Sequence, residues 1–227
     1  MMREIVLDTE TTGLRPEEGH RIVEIGCVEL VNHVPTGRTF QAFLNPERLM
    51  EAKASEISGI TDAMLVGQPL FADIAQSLID FIGDAPIVAH NAPFDMGFLN
   101  AEFSRIGLAT MPPERAIDTV MIARRKFPGA PASLDALCKR FNIDLSERVK
   151  HGALLDARLL ADVYLELCGG RQFGLSLQSD NASAAATSSA HGARPEPLET
   201  RLTEEELAAH AAFLEGFKTT PIWKQYA

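Results

Sequence analysis

Asp8 and Glu10 stand two residues apart in the run Ile5-Val6-Leu7-Asp8-Thr9-Glu10-Thr11-Thr12-Gly13. Apolar, strand-favouring residues lead into the pair, and side chains two apart on a strand share one face. Two carboxylates are thereby set side by side at the end of a buried strand, where their mutual repulsion calls for a cation. Ligation by oxygen alone selects a hard divalent ion over zinc. Thr9, Thr11, Thr12 and Gly13 add hydroxyls and closely approachable backbone, a setting suited to a sugar-phosphate. Taken alone, the same residues describe an acidic turn after a strand. Acids further along the chain separate the two readings.

His90-Asn91-Ala92-Pro93-Phe94-Asp95 follows the short apolar run Ile87-Val88-Ala89. Pro93 suits the first turn of a helix, and Asp95 falls in that same turn, where the helix dipole favours an ionised carboxylate. Phe94 is either a core residue or, beside Asp95, a platform for a nucleobase. His151-Gly152-Ala153-Leu154-Leu155-Asp156 opens a Leu/Ala-rich helix that ends at Gly169-Gly170. Asp156 lies among apolar residues, where an unpaired charge is expensive. His151 is five residues earlier, about 140° away around an ideal helix, so the two cannot share a helical face. His151 therefore belongs to the loop before the helix, leaning over the place Asp156 points into. Histidine titrates near neutrality, which suits it to taking a proton there. Each of these residues has an ordinary structural explanation by itself; four acids and a histidine in five such settings point to one site.

The elements that must position them are legible from periodicity. Residues 22–30 and 38–44 read as strands, with Pro35-Thr36-Gly37 as the turn between them, so the first three strands form an antiparallel meander. Ile57 to Thr61 reads as a loop, with Thr61 capping a short helix. Phe71, Ile74, Leu78 and Phe81 recur at helical spacing up to Gly83. Ala116 to Thr119 reads as a last short strand with Asp118 as a helix cap. Two helices follow, the second capped by Ser133 with Leu134, Leu137 and Phe141 on its apolar face.

The 227 residues, 46% hydrophobic and 23% charged, have an ordinary globular composition. No apolar run reaches the ~20 residues of a membrane span and no signal-peptide core opens the chain, so the expected location is cytoplasmic, with no membrane partner. Cys27, Cys138 and Cys168 are scattered and make no C-x-x-C, which excludes a zinc ribbon or disulfide framework and predicts reduced, mostly core residues. The net charge of −10 excludes a nucleic-acid binder held by bulk electrostatics, though not a nucleic acid as substrate. Between Arg115 and Lys150, eight basic residues against four acids leave a local net charge of +4.

The three motifs Leu7-Asp8-Thr9-Glu10-Thr11-Thr12-Gly13, His90-Asn91-Ala92-Pro93-Phe94-Asp95 and His151-Gly152-Ala153-Leu154-Leu155-Asp156-Ala157 resemble those of the DEDDh group of 3′–5′ exonucleases. Within that group the likeness is nearest to the proofreading subunits of bacterial replicative polymerases, and Phe127-Pro128-Gly129 through Ser133-Leu134-Asp135-Ala136-Leu137-Cys138 adds to it. It covers residues 3 to 170. Relatives often carry a histidine just before Gly59, where this chain has Ser58. The resemblance implies an α/β, RNase H-like fold: a five-stranded mixed sheet flanked by helices. It implies two divalent cations, Mg²⁺ or Mn²⁺, with Asp8 bridging both, Glu10 and Asp156 on the nucleophile side, and Asp95 on the other. His151 is then the catalytic base. Thr9, Thr11, Gly13 and Leu14 are expected to line the terminal nucleotide of a DNA 3′ end, with Asn91 and Phe94 near its sugar and base.

Beyond a catalytic domain at 1–170, Gln172-Phe173-Gly174-Leu175-Ser176-Leu177 resembles the Q-x-x-L-x-L peptides that enter the bacterial sliding clamp, with Gln172, Leu175 and Leu177 as contacts and 171–178 as the segment. Residues 179–200 read as a flexible Ala/Ser-rich tether. In 201–227, Thr203-Glu204-Glu205-Glu206 is a capping box opening a short helix, followed by Phe217 and Trp223. So short a segment cannot bury these aromatics by itself, and they read as docking anchors; the resemblance implies the polymerase catalytic (alpha) subunit as their partner. Two other readings remain at this stage: an exoribonuclease trimming RNA 3′ ends with the same site, and a non-catalytic scaffold between clamp and polymerase.

Overall fold

The computed structural model describes residues 2–146, 148, 150–170 and 202–216. Contacts divide the chain into two units, 1–175 and 176–227. The first is built on a five-stranded sheet in the order β3-β2-β1-β4-β5. β1 (Arg3–Thr11), β2 (Ile22–Val31) and β3 (Val34–Phe43) form the antiparallel meander, and β4 (Ile87–Ala89) and β5 (Ala116–Asp118) add in parallel. The helices are α1 (Ala52–Ser58), α2 (Asp62–Leu65), α3 (Phe71–Ile82), α4 (Ala92–Arg105), α5 (Thr119–Lys126), α6 (Leu134–Phe141) and α7 (Ala153–Leu167). This is the mixed five-stranded, helix-flanked sheet expected.

Alternation along β1 divides the core in two. Ile5 and Leu7, with Ile25 and Cys27 of β2, face α3 and α4 and meet Phe71, Leu78, Phe98 and Phe103. Val6 and Val28 face the other way, onto α5, α6 and α7. Buried on both faces, the central strands read as nearly continuous apolar runs interrupted only where chemistry or packing requires.

Two local expectations are corrected. The β2–β3 turn is not at Pro35-Thr36-Gly37, which lies inside β3, but at Asn32-His33, whose φ values of 51° and 66° give the left-handed pair a tight hairpin needs. Pro35 is tolerated because β3 is an edge strand, where a missing N–H costs no ladder bond. Of the loop expected from Ile57 to Thr61, Ile57 and Ser58 are instead the last residues of α1, which Gly59 closes at φ 74°. That helix has no capping side chain and too few turns to show a period. Cys27 and Cys138 are buried as expected, whereas Cys168 is exposed.

α8 (Glu204–Glu215), in the second unit, begins with the capping box: Thr203 Oγ1 accepts from Glu206 N and Glu206 Oε2 accepts from Thr203 N. It has no buried residue, and Leu207 is 52% exposed. Gln172, Leu175, Leu177, Phe217 and Trp223 lie outside the described residues, as does the 179–200 tether. Among the described residues no helix is long and apolar enough to cross a membrane.

Candidate active site

β1 and β4 run parallel, so their carboxyl ends open on the same edge of the sheet, where α4 begins. Asp8 and Glu10 point from the end of β1 to the α7 face, opposite Gly26 and Glu24 of β2 in the antiparallel register. Asp156 comes from the first turn of α7. A pocket of about 300 Å³ is lined by Asp8, Thr9, Glu10, His90, Ser133, Leu134, Asp135, Arg148, His151 and Asp156. Ligand atoms of Glu10, His151 and Asp156 lie within 4.8 Å of one another.

Asp95 approaches from the opposite side. It is buried at the start of α4 and accepts a hydrogen bond from Thr9 Oγ1 at 2.7 Å. Thr9, expected to line a nucleotide, thus uses its hydroxyl to orient an acid. The neighbouring helix start is held by Asp118, which accepts from Asn91 N (3.2 Å) and Val120 N (2.9 Å). Asn91 is left-handed at φ 71° and exposed, while Phe94 is half-buried and packs on Phe98 with ring centroids 4.9 Å apart. Thr11 donates to Gly13 O (2.6 Å), and Leu14 is 74% exposed. A Cβ on Gly13 would lie 2.3 Å from the ring of His20, which hydrogen-bonds Thr12. Packing alone explains that glycine. Ser58 is buried and spends its hydroxyl on Ala54 O (2.9 Å) within its own helix.

The electrostatics are those of crowded acids. Burial raises the carboxyl of Asp8 well above its ordinary range, and Asp95, Asp156 and Glu10 add to this by repulsion. Glu10 is pushed up to about 8 by burial first, then by Asp156, Glu24 and Asp95. Asp95 is raised to about 7 by burial, against the hydrogen bond from Thr9 that lowers it. Arg148 is the one Lys or Arg among the residues lining this pocket. Its guanidinium donates to both oxygens of Asp156, Nε to Oδ1 at 2.5 Å and Nη2 to Oδ2 at 2.7 Å, and its Nη1 pairs with Asp135. Four carboxyl groups against one guanidinium, crowded enough to resist ionising together, form an oxygen donor set whose ionisation a cation would favour. That set fits hard divalent cations.

His151 is exposed, and its Nδ1 has two neighbours, Asp156 Oδ2 at 3.1 Å and Arg148 Nη2 at 2.8 Å. The two contacts demand opposite tautomers. Facing Asp156, Nδ1 carries the proton and Nε2 is a free base; facing Arg148, Nδ1 accepts and Nε2 carries the proton.

Asp8, Glu10, Asp156 and His151 are therefore gathered in one pocket, with Asp95 behind them through Thr9. Sequence reasoning missed Arg148, visible only as part of a basic stretch, and Asp135 and His90 in the pocket wall. An arginine three residues before a loop histidine carries no signal of its own; only the loop's fold turns it inward.

The fold and this constellation define a nuclease class, and the comparisons agree. Residues 5–164 match the family described as Exonuclease, and the chain belongs to that family, within its DEDDh group of 3′–5′ exonucleases. Among relatives, it is 47% identical over 225 residues to the DNA polymerase III subunit epsilon of Rickettsia felis, across 96% of this chain and 98% of that one. To the subunit of the same name from Escherichia coli K12 it is 42% identical over 224 residues, 94% of this chain and 92% of that one. Among solved structures, exonuclease X in complex with 5′ overhanging duplex DNA superposes with a TM-score of 0.58 at 30% identity, over 74% of this chain and 90% of that one.

Proposed function

We propose that this exonuclease removes nucleotides from mispaired 3′ ends of DNA as the proofreading subunit of a replicative polymerase. The observation that carries the reading is the likeness to epsilon subunits through nearly the whole of both chains, tail included. Asp8, Glu10, Asp95 and Asp156 would hold two divalent cations, Mg²⁺ or Mn²⁺, which supply Lewis-acid polarisation of the phosphate and neutralise charge on the leaving oxygen. Glu10 and Asp156 would serve the nucleophile side, Asp95 the other, and Asp8 both. His151 takes the proton of the attacking water on Nε2, which requires that its Nδ1–H be donated to Asp156. The Arg148 contact to Nδ1 opposes that tautomer, so Arg148 must release His151 before proton transfer. Thr11, Gly13 and Leu14 line the terminal nucleotide, with Thr9 contributing through Asp95, and Asn91 and Phe94 meet its sugar and base.

The same reading gives 1–170 as the catalytic domain and 171–178 as a clamp-binding segment through Gln172, Leu175 and Leu177. Residues 179–200 are then a tether, and 201–227 the segment that docks on the polymerase alpha subunit through Phe217 and Trp223. An exposed helix with no buried residue is consistent with a surface completed by a partner.

The test is release of single nucleotides from a 3′-mispaired DNA primer and from a matching RNA, with Mg²⁺, Mn²⁺ or chelator. Metal-dependent release from DNA is expected, abolished in Asp8→Ala and reduced about 10²–10⁴-fold in His151→Ala. Preference for RNA, or full activity in Asp8→Ala, would refute the reading.

A further inference from the structure

Glu24 is a carboxylate buried in the sheet, 3% exposed, with both oxygens engaged. Oε2 accepts from Ala153 N at 3.0 Å and Oε1 from Gln41 Nε2 at 2.8 Å. Ala153 is the first residue of α7, and the residue before it, Gly152, has no side chain to cap the helix. Glu24 therefore serves as the helix's N-terminal acceptor from 129 positions away in sequence. It places a negative charge where the helix dipole favours one.

Gly26, two residues on, shares Glu24's face of β2. A Cβ there would lie 2.2 Å from Ala153 C and Leu154 N, both backbone atoms with nowhere to yield. Glu24 and Gly26 together form a socket for the first turn of α7. In the β1–β2 register their partners are Glu10 and Asp8. The strand positions that oppose the two β1 acids are thus the ones that seat the helix bringing Asp156, three residues after Ala153, and His151, two before it. At the other end of α7, Tyr164 donates to the buried Glu4 of β1 at 2.7 Å. Between the two glutamates the helix is bonded to the sheet at both ends, so it can neither slide nor rotate without breaking a buried hydrogen bond.

We infer that Glu24 is a positioning residue for the reaction: by holding Ala153 N it sets the distance of Asp156 and His151 from Asp8 and Glu10. It acts through α7 and does not itself touch the substrate. The inference rests on the exonuclease reading of the site above. Glutamine at position 24 keeps an acceptor for Ala153 N, and Gln41 can turn its amide to receive the new NH₂. Alanine keeps neither.

The experiment uses the full chain as wild type, Glu24→Ala, Glu24→Gln, Gly26→Ala and Asp8→Ala. Thermal melting, amide exchange at Ala153 to Asp156, Mn²⁺ affinity by calorimetry, and kcat and KM for a mispaired primer are measured on each. For Glu24→Ala we expect faster exchange at these amides, Mn²⁺ affinity weakened about 10–100-fold, the range for partners that orient metal-holding side chains, and a comparable fall in kcat with KM within about twofold. Gly26→Ala should reproduce this by pushing the same turn away, and Glu24→Gln should recover most of the loss. A folded Glu24→Ala chain with wild-type Mn²⁺ affinity and kcat overturns the inference. So does Glu24→Gln as impaired as Glu24→Ala, which would place the charge itself in the reaction. If Glu24→Ala does not fold, Gly26→Ala and Glu24→Gln decide by the same readouts. Failure of the exonuclease reading is separate: wild type and Asp8→Ala would then both release nothing, while exchange and Mn²⁺ affinity would still report on the socket.

Discussion

Replacing Glu10 by glutamine keeps the shape of the side chain and removes a charge that the fold holds at a cost. The carboxyl titrates near 4.5 in an unfolded chain and at about 8 in this pocket. Between those values the folded chain binds more protons than the unfolded one, so its stability falls as pH rises. For this one group the difference amounts to about 1 kcal/mol at pH 5 and about 4 kcal/mol at pH 8. Screening in a pocket open to water roughly halves the change, to about 2 kcal/mol. For a domain of this size that is about 4–8 °C in melting temperature. In chelator, Glu10→Gln should therefore melt well above wild type at pH 8, and the gap should close on going to pH 5. Any unsatisfied amide hydrogen bond would shift the variant equally at all pH values, so the slope is diagnostic. Adding Mn²⁺ at pH 8 should reverse the order, because the wild-type carboxylate gains a ligand and the amide gains little. Differential scanning fluorimetry at four pH values, with and without cation, is enough. A gap that does not change from pH 5 to pH 8 would refute the account of crowded, destabilising acids.

Three other substitutions probe distinct parts of the structure. Arg148 engages both oxygens of Asp156, which a cation also needs, so Arg148→Gln should bind Mn²⁺ tighter by about 1–2 kcal/mol, roughly tenfold, in calorimetry; weaker binding would show that the guanidinium supports the site. Glu102 is 1% exposed and accepts from Arg21 (2.8 and 2.9 Å) and Arg105 (3.1 Å), both of which keep other partners in Pro46 O and His20 O, so Glu102→Ala should cost about 1–3 kcal/mol in urea unfolding. Leu160, 1% exposed on α7, fills the core on the face that carries Asp8 and Glu10; Leu160→Ala should cost about 2–5 kcal/mol with little change in KM.

What the sequence disclosed and what it hid divide along a physical line. Asp8, Glu10, Asp95 and Asp156 were visible because a carboxylate next to an apolar run is expensive and has to be explained. The sheet was visible because Ile5-Val6-Leu7 and Ile87-Val88-Ala89 are buried on both faces and tolerate nothing polar. The hairpin at Asn32-His33 was hidden because two left-handed residues without glycine compete with a Pro-Thr-Gly that looks more like a turn. α1 was hidden because seven residues show no period. Arg148 and Glu24 were hidden for a different reason. Each acts across the fold rather than along the chain, Glu24 on α7 over 129 positions and Arg148 on the Asp156 that α7 carries.

Asp8, Glu10 and Asp95 are destabilising where they stand, and residues that do no chemistry arrange the site around them. Thr9 orients Asp95, Arg148 neutralises Asp156, and Gly26 and Glu24 face Asp8 and Glu10 across the sheet. A search for reactive residue types finds the first group and overlooks the second. Yet the distance between the strand-borne pair and the helix-borne acid, on which a two-cation site depends, follows from how Glu24, Gly26 and the Tyr164–Glu4 bond seat α7 on the sheet. Loss of a reactive acid and loss of the residue that seats it should therefore both lower kcat but move stability in opposite directions. Removing Glu10 relieves repulsion and raises the melting temperature in chelator, whereas removing Glu24 frees a buried N–H and lowers it.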